Sequence, residues 1–451
     1  MPKVNIDKDR IKELLTRSVE DIVPRELAES RFNSGKRLRV YFGIDPTGSK
    51  LHLGHAVPLR KLKAFADLGH EVILVVGSFT AMIGDPSGQN TTREPLTEKQ
   101  VRENFATYKK QASLVLDFTK VELRYNHEWL SKLRFKDVAE LASKFSVQQM
   151  LKREMYAKNI VMVKCRNCGK DFTSPIQFSP TQIPKLISNS TICPLCRKIT
   201  AIENSNVFFV SEAPREIGLQ EFLYPLMVGW DSVVLDVDCE LGGNDQLFNM
   251  LAGRTLQQAY GKRDKFVLTT KILEGTDGRK MSKTYGNCIY LTDTADDMYG
   301  KVMSIKDELI IPYFEACTDV STNEITSIIK ALKADENPKK YKEQLASTIV
   351  AIYHGVKPSE AAEEEFNSIH KEGKLPEQMS QFALPKGKKT MPIIELLVYL
   401  KLALSKGEAR RLVTQGGVKI DSQVIKSWQE EISLKPGLVI QVGSRKFAKL
   451  K

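Results

Sequence analysis

Apolar residues along the chain form short continuous runs separated by helically spaced sets, and this pattern predicts an α/β fold. Residues 37–44 (RLRVYFGI) and 71–79 (EVILVVGSF) are runs typical of buried strands, and residues 55–69 between them carry apolar positions at helical spacing. Strand, helix and strand in this order predict a β-α-β unit of a parallel sheet covered on both faces. Residues 231–243 and 266–273 are predicted as further strands of that sheet.

The pattern changes twice in the second half of the chain, which predicts separate domains. After about residue 290 the apolar spacing becomes helical, as in EITSIIKALKAD and KKYKEQLASTIVAIYHG, and later it returns to a mixture of helices and strands. The stretch between lacks periodicity and carries Pro, Gly and Lys. We predict an α/β domain over 1–289, an α-helical domain over 290–372, a linker over 373–390 and a small α+β domain over 391–451.

Composition favours a globular protein with sizeable cores. The 451 residues are 42% hydrophobic and 27% charged, values typical of folded chains. No apolar run is long enough to span a bilayer, so no membrane association is expected. The polar start, MPKVNIDKDRIKELL, does not resemble a secretion signal, and we expect a cytoplasmic protein.

Charge is unevenly distributed and points to a polyanionic partner. The formal net charge is +12, and residues 391–451 hold 11 Lys and Arg against 5 Asp and Glu. A basic end on a nearly balanced body indicates an appended nucleic-acid-binding module. A merely solubilising surface is the alternative.

Two of the six histidines, His52 and His55, stand at the predicted start of the first helix. Backbone N–H groups and the helix dipole favour anions there, and the imidazoles and the Thr47 hydroxyl add hydrogen-bonding groups. Gly54 between the histidines leaves room for a flat ligand against the backbone. The sequence therefore predicts a nucleotide site without a P-loop motif. Alternatively, His52 caps the helix and His55 packs below it.

A second basic motif lies downstream in GRKMSKTYGN, residues 278–287, which carries Lys280 and Lys283 between glycines. Two lysines in a mobile loop suit the clamping of a triphosphate whose charge must be neutralised. Taken alone, this stretch would be an ordinary solvated loop.

The two motifs in this order resemble those of the class I aminoacyl-tRNA synthetases. HLGH and KMSKT are the two signatures, and YFGIDPTGSKLHLGH, GDPSG, GGNDQLFN and EFLYPLMVGWD are similar to segments of bacterial tyrosyl-tRNA synthetases. The resemblance covers roughly residues 10–155 and 205–451. It implies a Rossmann-like catalytic domain at 1–289, an anticodon-recognition domain at 290–372 and an S4-type RNA-binding domain at 391–451.

The resemblance implies a tyrosine–tRNA ligase that activates L-tyrosine with ATP and Mg²⁺ and transfers it to the 3′ end of tRNA(Tyr). Such catalysis requires positioning and charge stabilisation rather than a covalent enzyme intermediate. The implied catalytic residues are Thr47, His52, His55, Lys280 and Lys283. The implied ATP-binding residues are Gly43, Asp45, His52, Gly54, His55, Asp245, Lys280, Ser282 and Lys283. The implied tyrosine-binding residues are Tyr41, Asp85, Tyr224, Asp231 and Gln246.

One departure from the family concerns the amino-acid pocket. Val228 stands where the family usually has a Gln that contacts the substrate amino group. A tryptophan-specific synthetase of the same fold is therefore the first alternative. The retained Asp231 and the C-terminal tail favour tyrosine.

Four of the seven cysteines form two C-x₂-C pairs, Cys165 with Cys168 and Cys193 with Cys196, separated by 24 residues. This spacing predicts a structural Cys₄ zinc ribbon inserted at residues 160–202, with loose thiols as the alternative. The family does not usually carry this insertion.

The tail resembles an S4 module in LSKGEARRLVTQGGVKIDSQV, where Lys406, Arg410, Arg411 and Lys419 are the expected RNA-binding residues. Such a surface would bind RNA shape and phosphates, although a small domain with merely solvating charges is the alternative. A homodimer is implied by the family alone. Two other functions remain open, namely a non-catalytic RNA-binding protein on the synthetase scaffold and another adenylyl-transferring member of the fold.

Overall fold

The computed structural model separates the chain into two compact units. The first comprises Met1–Glu274, Lys280–Thr292 and Glu315–Cys317, and the second comprises Gly275–Arg279, Asp293–Phe314 and Thr318–Lys451. The structure describes residues 4–85, 96–151, 160–164, 168, 171–173, 190–192, 199–201, 207–211, 219–371, 379–385, 387–403, 405–443 and 446–451.

The first unit is built on a six-stranded sheet with the order β1-β11-β10-β2-β3-β4. Its edge strand β1 is antiparallel to β11, whereas all other neighbours in this sheet are parallel. The predicted parallel sheet is confirmed. The strands of this unit are β1 (Val19–Val23), β2 (Arg39–Ile44), β3 (Glu71–Val76), β4 (Val121–Tyr125), β5 (Ile160–Lys164), β6 (Asp171–Thr173), β7 (Ser190–Ile192), β8 (Ile199–Ala201), β9 (Val207–Ser211), β10 (Cys239–Gly243) and β11 (Phe266–Thr270).

Helices connect and cover the strands of this unit. The helix Leu53–Asp67, which joins β2 to β3, buries Leu59, Leu62 and Phe65 almost completely, as its apolar spacing predicts. The α-helices of the first unit are Lys8–Thr16, Arg25–Asn33, Leu53–Asp67, Thr80–Ile83, Glu98–Ala112, His127–Leu130, Phe135–Ala142, Val147–Leu151, Leu219–Leu235 and Leu247–Ala259.

The prediction of one continuous strand over 231–243 is wrong in its first half. Residues 231–235 end the long helix Leu219–Leu235, and β10 begins only at Cys239. The adjacent β-branched residues Val233 and Val234 favour a strand locally. In the helix, however, Val233 belongs to the buried face that also includes the buried residues one and two turns before it. The chain then reverses at Asp236, which adopts a left-handed conformation with φ 48°.

The second unit begins with helices and ends in a small α+β region. Its α-helices are Ala295–Met303, Ile310–Cys317 (whose last three residues belong to the first unit), Thr322–Lys333, Pro338–His354, Val356–Lys371, Ile393–Tyr399 and Lys406–Thr414. Its strands are β12 (Ser380–Phe382), β13 (Thr390–Pro392), β14 (Val418–Ile420), β15 (Gln423–Val424), β16 (Glu431–Ser433), β17 (Val439–Val442) and β18 (Lys446–Leu450).

The C-terminal region has its own sheet and core, as predicted for 391–451. The sheet order is β12-β18-β17-β14-β15, and Leu396, Leu397, Val413 and Ile440 are among the fully buried core residues. The prediction of a linker over 373–390 requires correction, because β12 lies within it and pairs in parallel with β18. A three-residue strand is too short to display the alternation by which strands are predicted from sequence.

Among the described residues, no helix is both long enough and apolar enough to cross a bilayer.

Candidate active site

A cavity of about 900 Å³ opens at the carboxyl ends of the parallel strands of the first unit. Ligands of open α/β sheets bind at this edge, because loops and helix N-termini diverge there. All fifteen residues that the sequence assigned to catalysis, ATP binding or tyrosine binding line this one cavity. They are Tyr41, Gly43, Asp45, Thr47, His52, Gly54, His55, Asp85, Tyr224, Asp231, Asp245, Gln246, Lys280, Ser282 and Lys283.

The two histidines form a stacked pair at the start of the helix Leu53–Asp67. Their ring centroids are 3.8 Å apart with an interplanar angle of 28°, and the His52 backbone N–H donates to His55 Nδ1 over 3.2 Å. Burial, reinforced by Lys283 and Lys280, lowers the pKa of His52 to about 3, and burial also lowers that of His55. Both imidazoles are therefore neutral at physiological pH. His52 is also the N-cap residue of this helix, as the alternative interpretation proposed.

The lysine-bearing segment lies directly against the histidine-bearing turn. Leu53 N–H donates to the Ile289 carbonyl over 2.9 Å, and Leu291 N–H donates to the Leu51 carbonyl over 3.0 Å. These two bonds join the residues after the lysine motif to the beginning of the helix. The two motifs, more than 220 residues apart in sequence, are thus close enough to face one triphosphate.

Each lysine of the segment has a defined neighbour. Lys280 Nζ donates to Asp245 Oδ2 over 2.8 Å, and half of its side chain remains exposed. The Lys283 ammonium lies where a Cβ on Gly48 would stand, beside Thr47. The Lys283 ammonium therefore reaches the turn that follows β2, and the Lys280 ammonium reaches the segment that follows β10.

Gly54 leaves space beside the imidazole ring of His52. A Cβ at this position would lie 3.0 Å from Nδ1 of the His52 ring. The missing side chain makes room for the neighbouring imidazole, and Gly54 also lines the cavity.

Asp45 is held at the centre of the cavity by two hydroxyl groups. Tyr224 Oη donates to Asp45 Oδ2 over 2.9 Å, and Thr80 Oγ1 donates to Asp45 Oδ1 over 2.7 Å. Nearby, Gln246 Nε2 donates to Asp85 Oδ2 over 2.8 Å. These contacts place polar groups between the histidine- and lysine-bearing end of the cavity and its opposite end, which contains Tyr41 and Asp231.

The far end of the cavity is deeply buried and contains Tyr41 and Asp231, which are 1% and 3% exposed. Trp129 Nε1–H donates to Asp231 Oδ1 over 2.7 Å, and Asn126 Nδ2 donates to Oδ2 over 3.3 Å. Burial raises the pKa of both the Asp231 carboxyl and the Tyr41 phenol well above their usual values. The sequence interpretation missed Trp129 and Asn126, since neither belongs to a motif.

A buried polar cluster behind Tyr41 was also missed. It consists of Ser232, Glu240 and Lys265, all at most 3% exposed. A signal was available, because Glu240 is a charged residue within a stretch predicted to be a buried strand.

The predicted metal ligands fall largely outside the described residues. Cys168 is described, whereas Cys165, Cys193 and Cys196 are not. Across the described ranges, no group of three or more His, Cys, Asp or Glu residues could hold a metal ion.

The predicted RNA-binding residues lie together in the C-terminal region. Lys406, Arg410 and Arg411 are exposed on the helix Lys406–Thr414, and Lys419 lies on β14. Lys406 Nζ pairs with Glu395 at 2.7 Å.

Comparison with known proteins identifies the family. The chain matches tRNA synthetases class I (W and Y) over residues 33–168 and 180–371, and the S4 domain over residues 391–432. Because the first match spans most of its length, the chain belongs to the class I tRNA synthetases of this group.

Individual relatives cover almost the whole chain. It is 40% identical over 439 residues to a tyrosine–tRNA ligase of Thermotoga maritima, covering 97% of this chain and 96% of that protein. It is 39% identical over 448 residues to a tyrosine–tRNA ligase of Symbiobacterium thermophilum, covering 98% and 97%. The tyrosyl-tRNA synthetase of Archaeoglobus fulgidus, crystallised with L-tyrosine, shares the fold with a TM-score of 0.54 at 18% identity, covering 79% of this chain and all of that one.

Proposed function

We propose that this enzyme is a tyrosine–tRNA ligase, which converts L-tyrosine and ATP to tyrosyl-adenylate and then esterifies tRNA(Tyr). The observation that carries the proposal is one cavity with imidazoles and lysines at one end and a buried carboxyl beside a phenol at the other. Relatives about 40% identical over nearly the full chain bear the same assignment.

At the nucleotide end, the enzyme stabilises charge that develops on the phosphates. The substrate carboxylate attacks the α-phosphorus, an O–P bond forms, and the bond to pyrophosphate breaks. Neutral His52 donates a hydrogen bond to a phosphate oxygen, with Thr47 beside it, and Lys280 and Lys283 neutralise the charge of the departing pyrophosphate. Gly43, Gly54, His55, Asp245 and Ser282 line the space proposed for the adenosine and its phosphates.

At the other end, the pocket selects an aromatic side chain that carries a hydroxyl group. Asp231 and Tyr41 are buried at its floor and bind the substrate phenol, while Asp85, Tyr224 and Gln246 bind its amino and carboxylate groups. A substrate without the hydroxyl would deprive Asp231 and Tyr41 of one hydrogen-bond partner each in a buried pocket, which is the principal physical basis for rejecting phenylalanine.

Tryptophan is the competing amino acid, because Val228 lines the cavity where a polar side chain is usual in the family. Asp45, held by Tyr224 and Thr80, lines the same cavity and can supply an acceptor for the substrate amino group. We therefore assign tyrosine, in agreement with the relatives.

Amino-acid-dependent exchange of pyrophosphate into ATP tests the proposal. We expect exchange with tyrosine and little with tryptophan or phenylalanine. Exchange with tryptophan alone would contradict the substrate assignment, and no exchange with any amino acid would indicate a non-catalytic RNA-binding protein.

The S4 region is proposed to bind tRNA through Lys406, Arg410, Arg411 and Lys419. Its own core and sheet make it separable, so a chain ending at residue 371 is expected to retain exchange but to charge tRNA poorly. Full charging by that truncated protein would contradict this role.

We also propose a structural zinc ion held by Cys165, Cys168, Cys193 and Cys196. In sequence, the first pair falls between the antiparallel strands β5 and β6, and the second falls between the antiparallel strands β7 and β8. Four thiolates leave no open coordination position, so the metal would stabilise the insertion rather than react. Metal analysis should find one zinc per chain in the unchanged protein and a loss in Cys168→Ser.

A homodimer and a cytoplasmic location complete the proposal. The first unit strongly exposes Phe135, Val147 and Leu219, which are large apolar side chains suited to a subunit interface. Sedimentation of the purified protein at twice the mass of one chain tests the dimer. A cytoplasmic location follows from the need for ATP and tRNA where translation takes place.

A further inference from the structure

A polar cluster of Ser232, Glu240 and Lys265 lies directly behind the hydroxyl group of Tyr41. Ser232 Oγ is 2.9 Å from Tyr41 Oη, and Lys265 Nζ donates to Ser232 Oγ over 2.6 Å. Ser232 Oγ also lies 3.2 Å from Glu240 Oε2, and Lys265 forms an ion pair with the same carboxylate oxygen. The Tyr41 hydroxyl is thus tied through Ser232 to a fully buried ion pair.

The cluster has no space in which to relax. A Cβ on Gly253, in the helix Leu247–Ala259, would lie 2.6 Å from both Lys265 Nζ and Ser232 Oγ. The helix backbone therefore closes the cluster on one side, and the Tyr41 ring lies 5.8 Å from Lys265 Nζ on another. Close packing of this kind fixes the positions of the bonded atoms.

The charges of the cluster explain why its members act together. Lys265 is 0% exposed and Glu240 is 3% exposed, so each charge depends on the other for compensation. The ammonium group occupies one lone pair of Ser232 Oγ, which restricts the directions left for its bond to Tyr41. A substitution of Lys265 would therefore alter the position of the Tyr41 hydroxyl, although Lys265 itself does not line the ligand cavity.

We propose that Ser232, Glu240 and Lys265 are positioning residues that hold the Tyr41 hydroxyl in place to recognise the hydroxyl group of the substrate ring. The inference rests on the proposed function and extends it, because it adds a second layer to the recognition of tyrosine. These residues act through Tyr41 and contribute to the KM for tyrosine rather than to the KM for ATP.

A double-mutant cycle between Ser232→Ala and Tyr41→Phe tests the inference in the full-length enzyme. Tyrosine-dependent pyrophosphate exchange would be measured for both single variants, the double variant and the unchanged enzyme. We expect Ser232→Ala to lower kcat/KM for tyrosine about tenfold, mainly through KM, because one buried hydrogen bond to Tyr41 is lost. In the Tyr41→Phe background, the same substitution should have almost no further effect.

Two controls separate positioning from general destabilisation. Ser359→Ala removes an equally buried serine hydroxyl in the second unit, whose partner is the Ser347 carbonyl, and should leave exchange unchanged. Phenylalanine lacks the recognised hydroxyl, so Ser232→Ala should leave its kcat/KM nearly unchanged.

The ion pair is tested without leaving a buried charge behind. The double substitution Lys265→Met with Glu240→Gln removes both charges together, which protects folding. It should lower kcat/KM for tyrosine about tenfold. Combined with Ser232→Ala, it should cause no further loss of kcat/KM beyond that of either change alone.

Independent, multiplicative losses from Ser232→Ala and Tyr41→Phe would overturn the inference, as would an equal loss with phenylalanine. Unchanged kinetics in Ser232→Ala would overturn it as well. If the unchanged enzyme shows no tyrosine-dependent exchange, the proposed function itself fails, and the inference fails with it.

Discussion

The two ends of the active-site cavity are built on different physical principles. At the nucleotide end, Lys280 keeps half of its side chain exposed, and both histidines stand at the start of one helix. At the amino-acid end, Tyr41, Asp231 and Lys265 are at most 3% exposed and are bonded to residues from several elements. The nucleotide end can therefore be altered one residue at a time, whereas the amino-acid end should respond as a unit.

Both ends shift the pKa of their titratable groups toward the neutral form, but for different purposes. Burial and two lysines keep His52 uncharged in a place proposed to receive phosphates. Burial is the main cause of the raised pKa of Asp231. The hydrogen bonds from Trp129 and Asn126 act in the opposite direction and lower this pKa. The first end is prepared for a charged ligand and the second for a neutral hydroxyl group.

The largest effect is expected from Lys283→Ala at the nucleotide end. Removing a cation that stabilises the departing pyrophosphate should slow adenylate formation by about 10²–10³-fold. tRNA binding, measured by filter retention, should change little, and Lys262→Ala, which removes an exposed lysine after the helix Leu247–Ala259, is the matched control. Unchanged exchange would refute the assigned role.

The next largest effect is expected from Asp231→Asn at the amino-acid end. The amide has the same shape but cannot accept equivalent hydrogen bonds from Trp129, Asn126 and the substrate, so kcat/KM for tyrosine should fall about 100-fold. The kcat/KM for phenylalanine should fall much less. Similar losses for both amino acids would show that the substitution disturbs the pocket rather than phenol recognition.

A smaller effect concerns stability below neutral pH. His52 has a folded-state pKa of about 3 against an ordinary value of 6.5, so between these values the unfolded chain binds a proton that the folded chain does not. Stability should therefore decrease as pH falls through this window, by at most about 1.4 kcal/mol per pH unit from this group. Urea unfolding between pH 4.5 and 6.5 should show a shallower pH dependence in His52→Gln, and an identical slope would contradict the assignment.

The smallest effect is expected from Gly48→Ala. The added methyl group would occupy the place of the Lys283 ammonium, but this flexible side chain can move aside. We expect an increase of only a few-fold in the KM for ATP, with the KM for tyrosine unchanged. A large change in the KM for tyrosine would show that the two ends are coupled.

Prediction from sequence succeeded where function depends on short continuous motifs. The predicted site residues between Gly43 and His55 and those between Lys280 and Lys283 line one cavity, because strand, turn and helix fix their local geometry. The predicted strand over 231–243 failed because Val233 and Val234 favour extended backbone locally, whereas packing around the preceding helix decides the outcome. The zinc ribbon remains a prediction, with three of its cysteines outside the described residues.

The sequence by itself determined the β-α-β pattern, the histidine-bearing and lysine-bearing motifs and the basic C-terminal region, since each depends on neighbours in the chain. Only the tertiary structure decided that Ser232, Glu240 and Lys265 meet behind Tyr41, because they come from near the end of a helix, the second residue of one strand and the residue before another strand. Buried charges compensate each other only at contact distance, and that distance is set by how the elements pack rather than by any spacing along the chain.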